Sequence, residues 1–397
     1  MDKEQLITTA LTKGVSEILP NKDFVSSLLH SDKKLTIYAG FDPTAPTLHI
    51  GHAAQLIKLR QFQDLGHRII FLIGDFTARI GDPTDKLAAR KQLTEKEIKT
   101  NLKLYKKQAS KFIRFTGKNA AVVKFNNSWL GKMKFADVLN LASNMTVEQM
   151  LKRDMFARRM EEGKPVYIHE FMYPLMQGYD SVVMDVDGEV GGNDQLFNML
   201  AGRTLLKSLK NKEKFVVTIK LLEDGNGKKM GKSEGNMISL VDKPEDMYGK
   251  IMSWPDGVIV PAFELCTFYS VDQSKKIDEE LKGGTNPRDL KMELAFEIVK
   301  TCYDEKKAYD AQEAFVATFQ KKEATDVMQS VSGNGRTLET ILLDENLVSS
   351  KGELRRLVEG NAVSNFDDKK TLTLDEVKAT AAPGAYKIGK SRFIRVI

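Results

Sequence analysis

Cysteine is scarce: Cys266 and Cys302 are the only two in 397 residues. That excludes a disulfide framework and a cysteine-rich zinc site, and it fits a reducing compartment. Long apolar runs are missing as well. No stretch approaches the ~20 residues that a membrane-spanning helix needs. The first residues, MDKEQ, carry charge of both signs rather than a basic segment leading into an apolar one. Internal repeats and low-complexity tracts are also absent. Together these absences predict a cytoplasmic protein with no membrane partner.

What is present is ordinary globular material, 42% hydrophobic and 29% charged, long enough for two or three domains with their own cores. The formal net charge of +6 is mild, but it is unevenly spread. Between Lys96 and Arg114 seven cations, Lys96, Lys99, Lys103, Lys106, Lys107, Lys111 and Arg114, face the single acid Glu97. Ile98, Leu102, Tyr105, Ala109 and Phe112 recur at steps of four and three, which predicts an amphipathic helix with a basic outer face. Alone, such a face reads as solvated surface before it reads as a nucleic-acid contact.

The most informative stretch is Tyr38 to His52, YAGFDPTAPTLHIGH. Alternation at Leu35, Ile37 and Ala39 predicts a strand, the Asp42 to Pro46 segment a turn, and a helix follows from about His49. Ala53, Leu56, Ile57, Leu59 and Phe62 give that helix its buried stripe, with Lys58 and Arg60 facing water. A turn feeding a helix N-terminus presents backbone N–H groups and the positive end of the dipole to an anion. His49 and His52 stand there one helical turn apart. Arg68 to Ile73, RIIFLI, predicts a second strand buried on both faces. Strand, helix and strand make one crossover unit of a doubly wound parallel sheet, in which ligands sit beyond the carboxyl ends of the strands. Asp82, in the following loop, falls at that edge, where an Asp between Gly and Pro also serves as a plain turn residue.

Further along, residues 1 to 34 read as helical, and 115 to 165 as a helical insertion. Tyr173, Gln177 and Asp180 share one face of a predicted helix, which suits either a pocket wall or a wet surface. Val182 to Met184 predicts a short strand, GEVGGNDQ a glycine-rich turn, and a helix begins near Gln195. Residues 221 to 240, LLEDGNGKKMGKSEGNMISL, form a basic glycine-rich loop. It reads as a solvated tip or as a phosphate clamp. The pattern from Pro244 to about Glu323 is helical, SVSGNG at 330 to 335 resembles a linker, and the remainder makes a small α+β unit. There Ser350 and Glu353 form a capping-box pattern, and KIGKSRFIRVI alternates as a strand.

Over essentially its whole length the chain resembles the bacterial tyrosyl-tRNA synthetases, which are class I aminoacyl-tRNA synthetases. His49-Ile50-Gly51-His52 is similar to the class I signature, and Lys229-Met230-Gly231-Lys232-Ser233 to the family's lysine loop. Each motif alone is weak; their order and separation, with the pocket residues between them, is specific. Two departures stand out: Gly231 replaces a usual serine, and Asn193 stands where Ser or Thr is common.

The resemblance implies a Rossmann-like catalytic domain over 1–243, with the lysine loop at 224–236 mobile. A helical anticodon-recognition domain would follow over 244–329, then a linker at 330–335 and a small C-terminal RNA-binding domain over 336–397. It implies activation of tyrosine by ATP, with Mg²⁺ accompanying the nucleotide and no protein-bound metal or zinc, then transfer to tRNA(Tyr), by a homodimer. His49, His52, Lys229 and Lys232 would be catalytic. Tyr38, Asp82, Tyr173, Gln177, Asp180 and Gln195 would hold tyrosine. Gly40, Asp42, Thr44, Gly51 and Asp194 would join the histidines and lysines around ATP. Lys351, Arg355, Arg356, Lys390 and Arg392 would meet tRNA phosphates, with the basic 96–114 segment as a second tRNA surface.

The chemistry explains these residue types. A carboxylate attacks an α-phosphate and pyrophosphate leaves, so no enzyme nucleophile is needed and catalysis consists of positioning and charge stabilisation. Three other readings compete. A tryptophanyl enzyme would lack the Tyr38 and Asp180 pair. A catalytically silent RNA-binding paralogue would have lost His49, His52, Lys229 or Lys232. A nucleotidyltransferase acting on a small alcohol would leave the C-terminal module unexplained.

Overall fold

A computed structural model describes residues 2–83, 93–223, 237–319, 328–368, 370–389 and 392–397. The chain divides into two compact units, Met1–Glu305 and Lys306–Ile397.

The first unit begins with α1 (Lys3–Thr12), β1 (Val15–Leu19), α2 (Lys22–His30) and β2 (Thr36–Phe41), followed by α3 (Ile50–Asp64) and β3 (Arg68–Ile73). Then come α4 (Glu95–Asn101), α5 (Tyr105–Ala109), β4 (Val122–Phe125), α6 (Asn127–Leu130), α7 (Phe135–Ala142), α8 (Val147–Leu151) and α9 (Asp154–Glu161). The chain returns through α10 (Ile168–Met184), β5 (Gly188–Gly192), α11 (Leu196–Lys210) and β6 (Phe215–Ile219). A helical section follows: α12 (Pro244–Met252), α13 (Ile259–Cys266), α14 (Val271–Lys282) and α15 (Pro287–Cys302).

The sheet runs β1-β6-β5-β2-β3-β4, parallel throughout except for antiparallel β1. From β2 the chain winds outward to β3 and β4, then comes back to the other side of β2 for β5. The strand order therefore reverses between β2 and β5, which opens a crevice at their carboxyl ends. Tyr38 lies opposite Glu189 across that pair. Helices α10 and α11 pack closely because Gly178 meets Gly202: a Cβ on Gly178 would stand 3.1 Å from the Gly202 nitrogen.

Several local expectations are corrected. Residues 1–34 contain β1, an edge strand whose half-buried VSEIL gives no clean alternation. β4 lies within the stretch read as mostly helical; it too is a short edge strand. Val182 to Met184 is the last turn of α10, which ends at Asp185 with φ 50°. The strand is instead GEVGG, which sequence reads as a turn because three of its five residues are glycine. Gly188 is required there, since a Cβ would come within 2.2 Å of the Phe215 ring.

The basic 96–114 segment is α4, a 3₁₀ turn at 102–104 and α5 rather than one helix. Ile98, Tyr105, Ala109 and Phe112 are buried and Leu102 half-buried, while Lys96, Lys99, Lys103, Lys106, Lys107 and Arg114 face outward; Lys111, expected among them, is half-buried and donates to the Leu240 carbonyl. Tertiary bonds override the continuous helix: Asn101 donates to the Pro43 carbonyl (2.9 Å), Tyr105 to that of Ala45 (2.8 Å), and Gln108 accepts from Leu48 N–H (2.7 Å). These clamps hold the turn that carries Asp42 toward His49.

Lys58 is not solvated. It is buried, donating to the carbonyls of Ala10 (2.8 Å) and Lys13 (2.7 Å) at the end of α1, where burial pushes its ammonium well below the usual lysine range. Helical spacing cannot distinguish a lysine facing water from one facing orphan helix carbonyls.

The second unit holds most of α16 (Glu305–Phe319), then β7 (Ser330–Val331), α17 (Leu338–Asp344), α18 (Lys351–Glu359), β8 (Val363–Asn365), α19 (Leu374–Lys378), β9 (Gly384–Ile388) and β10 (Arg392–Val396). Its sheet runs β7-β10-β9-β8. Ser330 and Val331 thus belong to a sheet, parallel to β10, where sequence reads a linker. The terminal segment is a hairpin of two strands, not one. Ile341, Leu342, Leu354, Val363, Ile388 and Ile394 form the core.

Candidate active site

His49 is the N-cap of α3. Its Nδ1 accepts from Gly51 N–H (3.2 Å), and His52 Nδ1 accepts from His49 N–H (3.1 Å), with ring centroids 3.9 Å apart. With Nδ1 an acceptor in both neutral rings, the proton sits on Nε2, so each ring is a donor on its other edge. Gly51 leaves space for that ring: a Cβ there would stand 3.0 Å from His49 Cε1, so the imidazole would have to shift. The segment after the lysine loop pairs here, with Ile50 N–H donating to the Ile238 carbonyl (2.9 Å) and Leu240 N–H to that of Leu48 (3.0 Å). Lys229, Gly231 and Lys232 themselves lie outside the described residues.

Gly40 and Thr44 are exposed around the end of β2, and Asp42 between them is half-buried. Asp42 accepts from Thr77 Oγ1 (2.7 Å) and from the Tyr173 hydroxyl (2.8 Å). Asp194 lies, half-buried, in the 3₁₀ turn after β5.

Tyr173, Gln177 and Asp180 do share the sheet-facing side of α10. Tyr173 reaches Asp42, the Gln177 amide donates to Glu189 Oε1 (3.0 Å), and Asp180 accepts from Trp129 Nε1 (2.7 Å) and Asn126 Nδ2 (3.2 Å). Burial pushes the Asp180 carboxyl well up, with those two N–H donors opposing it; no ion pair reaches it among the described residues. Burial likewise raises the Tyr38 and Tyr173 hydroxyls well above the usual phenol range, more so beside Glu189 and Asp42 respectively, so both remain donors.

Asp82 is buried and paired with the guanidinium of buried Arg153 (2.8 Å), while its other oxygen accepts from Gln195 (2.7 Å) and Asn198 (3.4 Å). A second buried ion pair, Lys214 with Glu189, lies beneath Tyr38. Lys214 also donates to Ser181 Oγ (2.9 Å), which is 2.9 Å from the Tyr38 hydroxyl. Sequence reasoning misses Trp129, Asn126, Arg153, Ser181, Glu189 and Lys214. Only the scarcity of tryptophan, two in the chain, was a usable signal for any of them.

In the second unit Lys351, Arg355 and Arg356 are exposed on α18. Lys351 pairs with Glu339 (2.8 Å) and Arg355 with Glu359 (2.8 Å). Arg392 turns inward to Glu353 (2.8 Å) and the Leu347 carbonyl. Ser350 caps α18, but the Glu353 carboxylate bonds Ser349 rather than closing the box on Ser350. These Ser349 bonds, with Arg392 second, bring the Glu353 carboxyl down to about 2. Lys390 lies outside the described residues.

A family model described as tRNA synthetases class I (W and Y) matches residues 30–320. The chain belongs to that family. Among curated members, the tyrosine–tRNA ligase of Carboxydothermus hydrogenoformans is 41% identical over 98% of this chain and 96% of its own length. That of Thermotoga maritima is 41% identical over 97% and 96%. Among solved structures, a C-terminally truncated mitochondrial tyrosyl-tRNA synthetase of Aspergillus nidulans superposes with a TM-score of 0.67 at 26% identity, covering 79% of this chain and 94% of that one. The Archaeoglobus fulgidus enzyme solved with L-tyrosine has a TM-score of 0.62 at 23% identity, covering 78% and 100%, a likeness of fold. The doubly wound sheet and the crevice between β2 and β5 are thus those of a class I synthetase.

Proposed function

We propose that the chain activates L-tyrosine with ATP, forming tyrosyl-adenylate and pyrophosphate, and then transfers tyrosine to the 3′-terminal adenosine of tRNA(Tyr). The observation that carries the tyrosine assignment is Asp180: a buried carboxylate at the end of the crevice, oriented by Trp129 and Asn126 and free of ion pairs among the described residues. A hydroxyl donor completes such a group; the indole of tryptophan brings a ring N–H of different reach. Tyr38 and Asp180 would bracket the substrate phenol. At the other end Gln177, having turned its amide nitrogen to Glu189, presents its oxygen, and Tyr173, having donated to Asp42, presents lone pairs. Both are then acceptors for the substrate ammonium. Asp42, Asp82 and Glu189 outnumber Arg153 and Lys214 among the described residues, a surplus that favours a cation.

His49 and His52 would donate from Nε2 to the phosphates, where charge develops as pyrophosphate leaves. Lys229 and Lys232 would share this neutralisation. Gly40, Asp42, Thr44, Gly51, Asp194 and Gln195 would line the nucleotide and carboxylate side. Mg²⁺ enters with ATP as part of the substrate, and no cluster of three or more His, Cys, Asp or Glu side chains suited to a metal occurs among the described residues.

Residues 1–243 would be catalytic, 244–329 would read the anticodon, and 336–397 would bind tRNA through Lys351, Arg355, Arg356, Lys390 and Arg392. The exposed lysines of α4 and α5 would add a second phosphate-binding surface. Phe135 and Ile168, 77% and 79% exposed, with Leu139 and Val147, offer apolar surface for a homodimer contact. No described helix is long and apolar enough to cross a membrane, which accords with a cytoplasmic setting. Amino-acid-dependent ATP–pyrophosphate exchange tests the reading. Exchange with tyrosine and background with tryptophan is expected; the reverse would assign a tryptophanyl enzyme, and none with either a silent paralogue.

A further inference from the structure

Lysine is rarely fully buried, yet Lys214 and Ser181 have no exposed surface and lie at the back of the crevice. Room for the ammonium comes from Gly202, where a Cβ would stand 2.6 Å from Lys214 Nζ and 3.0 Å from Ser181 Oγ. An ion pair at such depth adds little net stability over a hydrophobic pair of the same volume. Stability alone therefore does not account for the pair, and its contact with Ser181 beside Tyr38 points to a role in the site itself.

The role follows from the direction of the bonds. An ammonium only donates. Lys214 donates to Glu189 and to Ser181 Oγ (2.9 Å), so Ser181 accepts there and keeps its own proton to give away. The hydroxyl within reach is that of Tyr38, 2.9 Å distant. Once Tyr38 accepts from Ser181, its proton must point elsewhere. Within the protein the acceptor near it is Glu189, which Tyr38 reaches and which also receives Lys214 and Gln177. A substrate hydroxyl that donates to Asp180 would take up that proton in the complex, while Glu189 keeps its two other donors, Lys214 and Gln177.

We propose that Ser181, held by the buried Lys214–Glu189 pair, is a positioning residue that turns the Tyr38 hydroxyl into a donor toward the substrate phenol, setting the preference for tyrosine over phenylalanine. This rests on the tyrosine reading above. The chain runs one way, from Lys214 through Ser181 and Tyr38 to the substrate oxygen and on to Asp180. Phenylalanine would leave both Tyr38 and Asp180 without a partner, the situation in which a polar site rejects an analogue most strongly.

Ser181→Ala removes the relay and one oxygen while keeping the ion pair. In pyrophosphate exchange, kcat/KM for tyrosine should fall about tenfold, the scale of one neutral hydrogen bond. The fall should lie in KM for tyrosine, with KM for ATP and kcat/KM for phenylalanine unchanged. The double variant Lys214→Met with Glu189→Gln should reproduce the lost discrimination. An unchanged tyrosine-to-phenylalanine ratio in Ser181→Ala, or equal losses for both amino acids, would overturn the proposal while leaving the tyrosine reading intact. A wild-type protein with no tyrosine-dependent exchange would instead remove the reading on which it rests.

Discussion

Asp82 and Asp180 are two buried carboxylates acting on the same buried Tyr173, and the protein compensates them in opposite ways. Asp82 has a full cationic partner in Arg153, with Gln195 and Asn198 on its other oxygen. Asp180 has only neutral N–H donors, from Trp129 and Asn126. A buried charge with its counter-charge in place is structural first; one held by dipoles alone stays available to a ligand proton. In the proposed site this places the test for the phenol at Asp180. It moves the amino end toward Gln177 and Tyr173, whose acceptor sense is fixed by Glu189 and Asp42.

The largest effect that would break this contrast is on stability. Arg153→Met leaves Asp82 buried and unpaired and should cost about 3–5 kcal/mol, read as a lower urea midpoint. Adding Asp82→Asn should recover most of it. If Arg153→Met is as stable as the parent, Asp82 is not compensated as described. Next is Tyr38→Phe, which removes one donor to the substrate. Discrimination against phenylalanine should drop by about 1–1.5 kcal/mol in kcat/KM with ATP binding unaffected.

Trp129→Phe sharpens the other side. Deleting one N–H donor to Asp180 pushes its carboxyl further up. Because its folded value already lies above the unfolded one, stability declines as pH rises from about 3.9, the unfolded value, through the folded value. Titrated melting curves should show the decline extend to higher pH in Trp129→Phe and disappear in Asp180→Asn. The smallest effect is at the exposed Arg355–Glu359 pair: Arg355→Ala should change stability by less than about 1 kcal/mol, and less still in high salt.

Much of this was legible in the sequence, for identifiable reasons. The strand, turn and helix from Tyr38 through His52 carry strong local signals, and His49 does cap the helix. The shared face of Tyr173, Gln177 and Asp180 follows from helical spacing alone. The supporting groups were not legible because their partners are remote in sequence: Arg153 is 71 residues from Asp82 and Lys214 is 33 from Ser181. β5 was hidden because its glycines answer to the Phe215 ring and the neighbouring strands rather than to strand propensity. Lys58 was misplaced because its partners are carbonyls at the end of α1.

Asp180→Asn in pyrophosphate exchange, assayed with tyrosine and with phenylalanine, tests the central claim most directly. A hydrogen bond from the substrate hydroxyl to a buried carboxylate is worth about 2–3 kcal/mol, so kcat/KM for tyrosine should fall roughly 30- to 150-fold. The value for phenylalanine should hold or rise. Parallel losses for the two amino acids would contradict the claim and make Asp180 a structural carboxylate like Asp82.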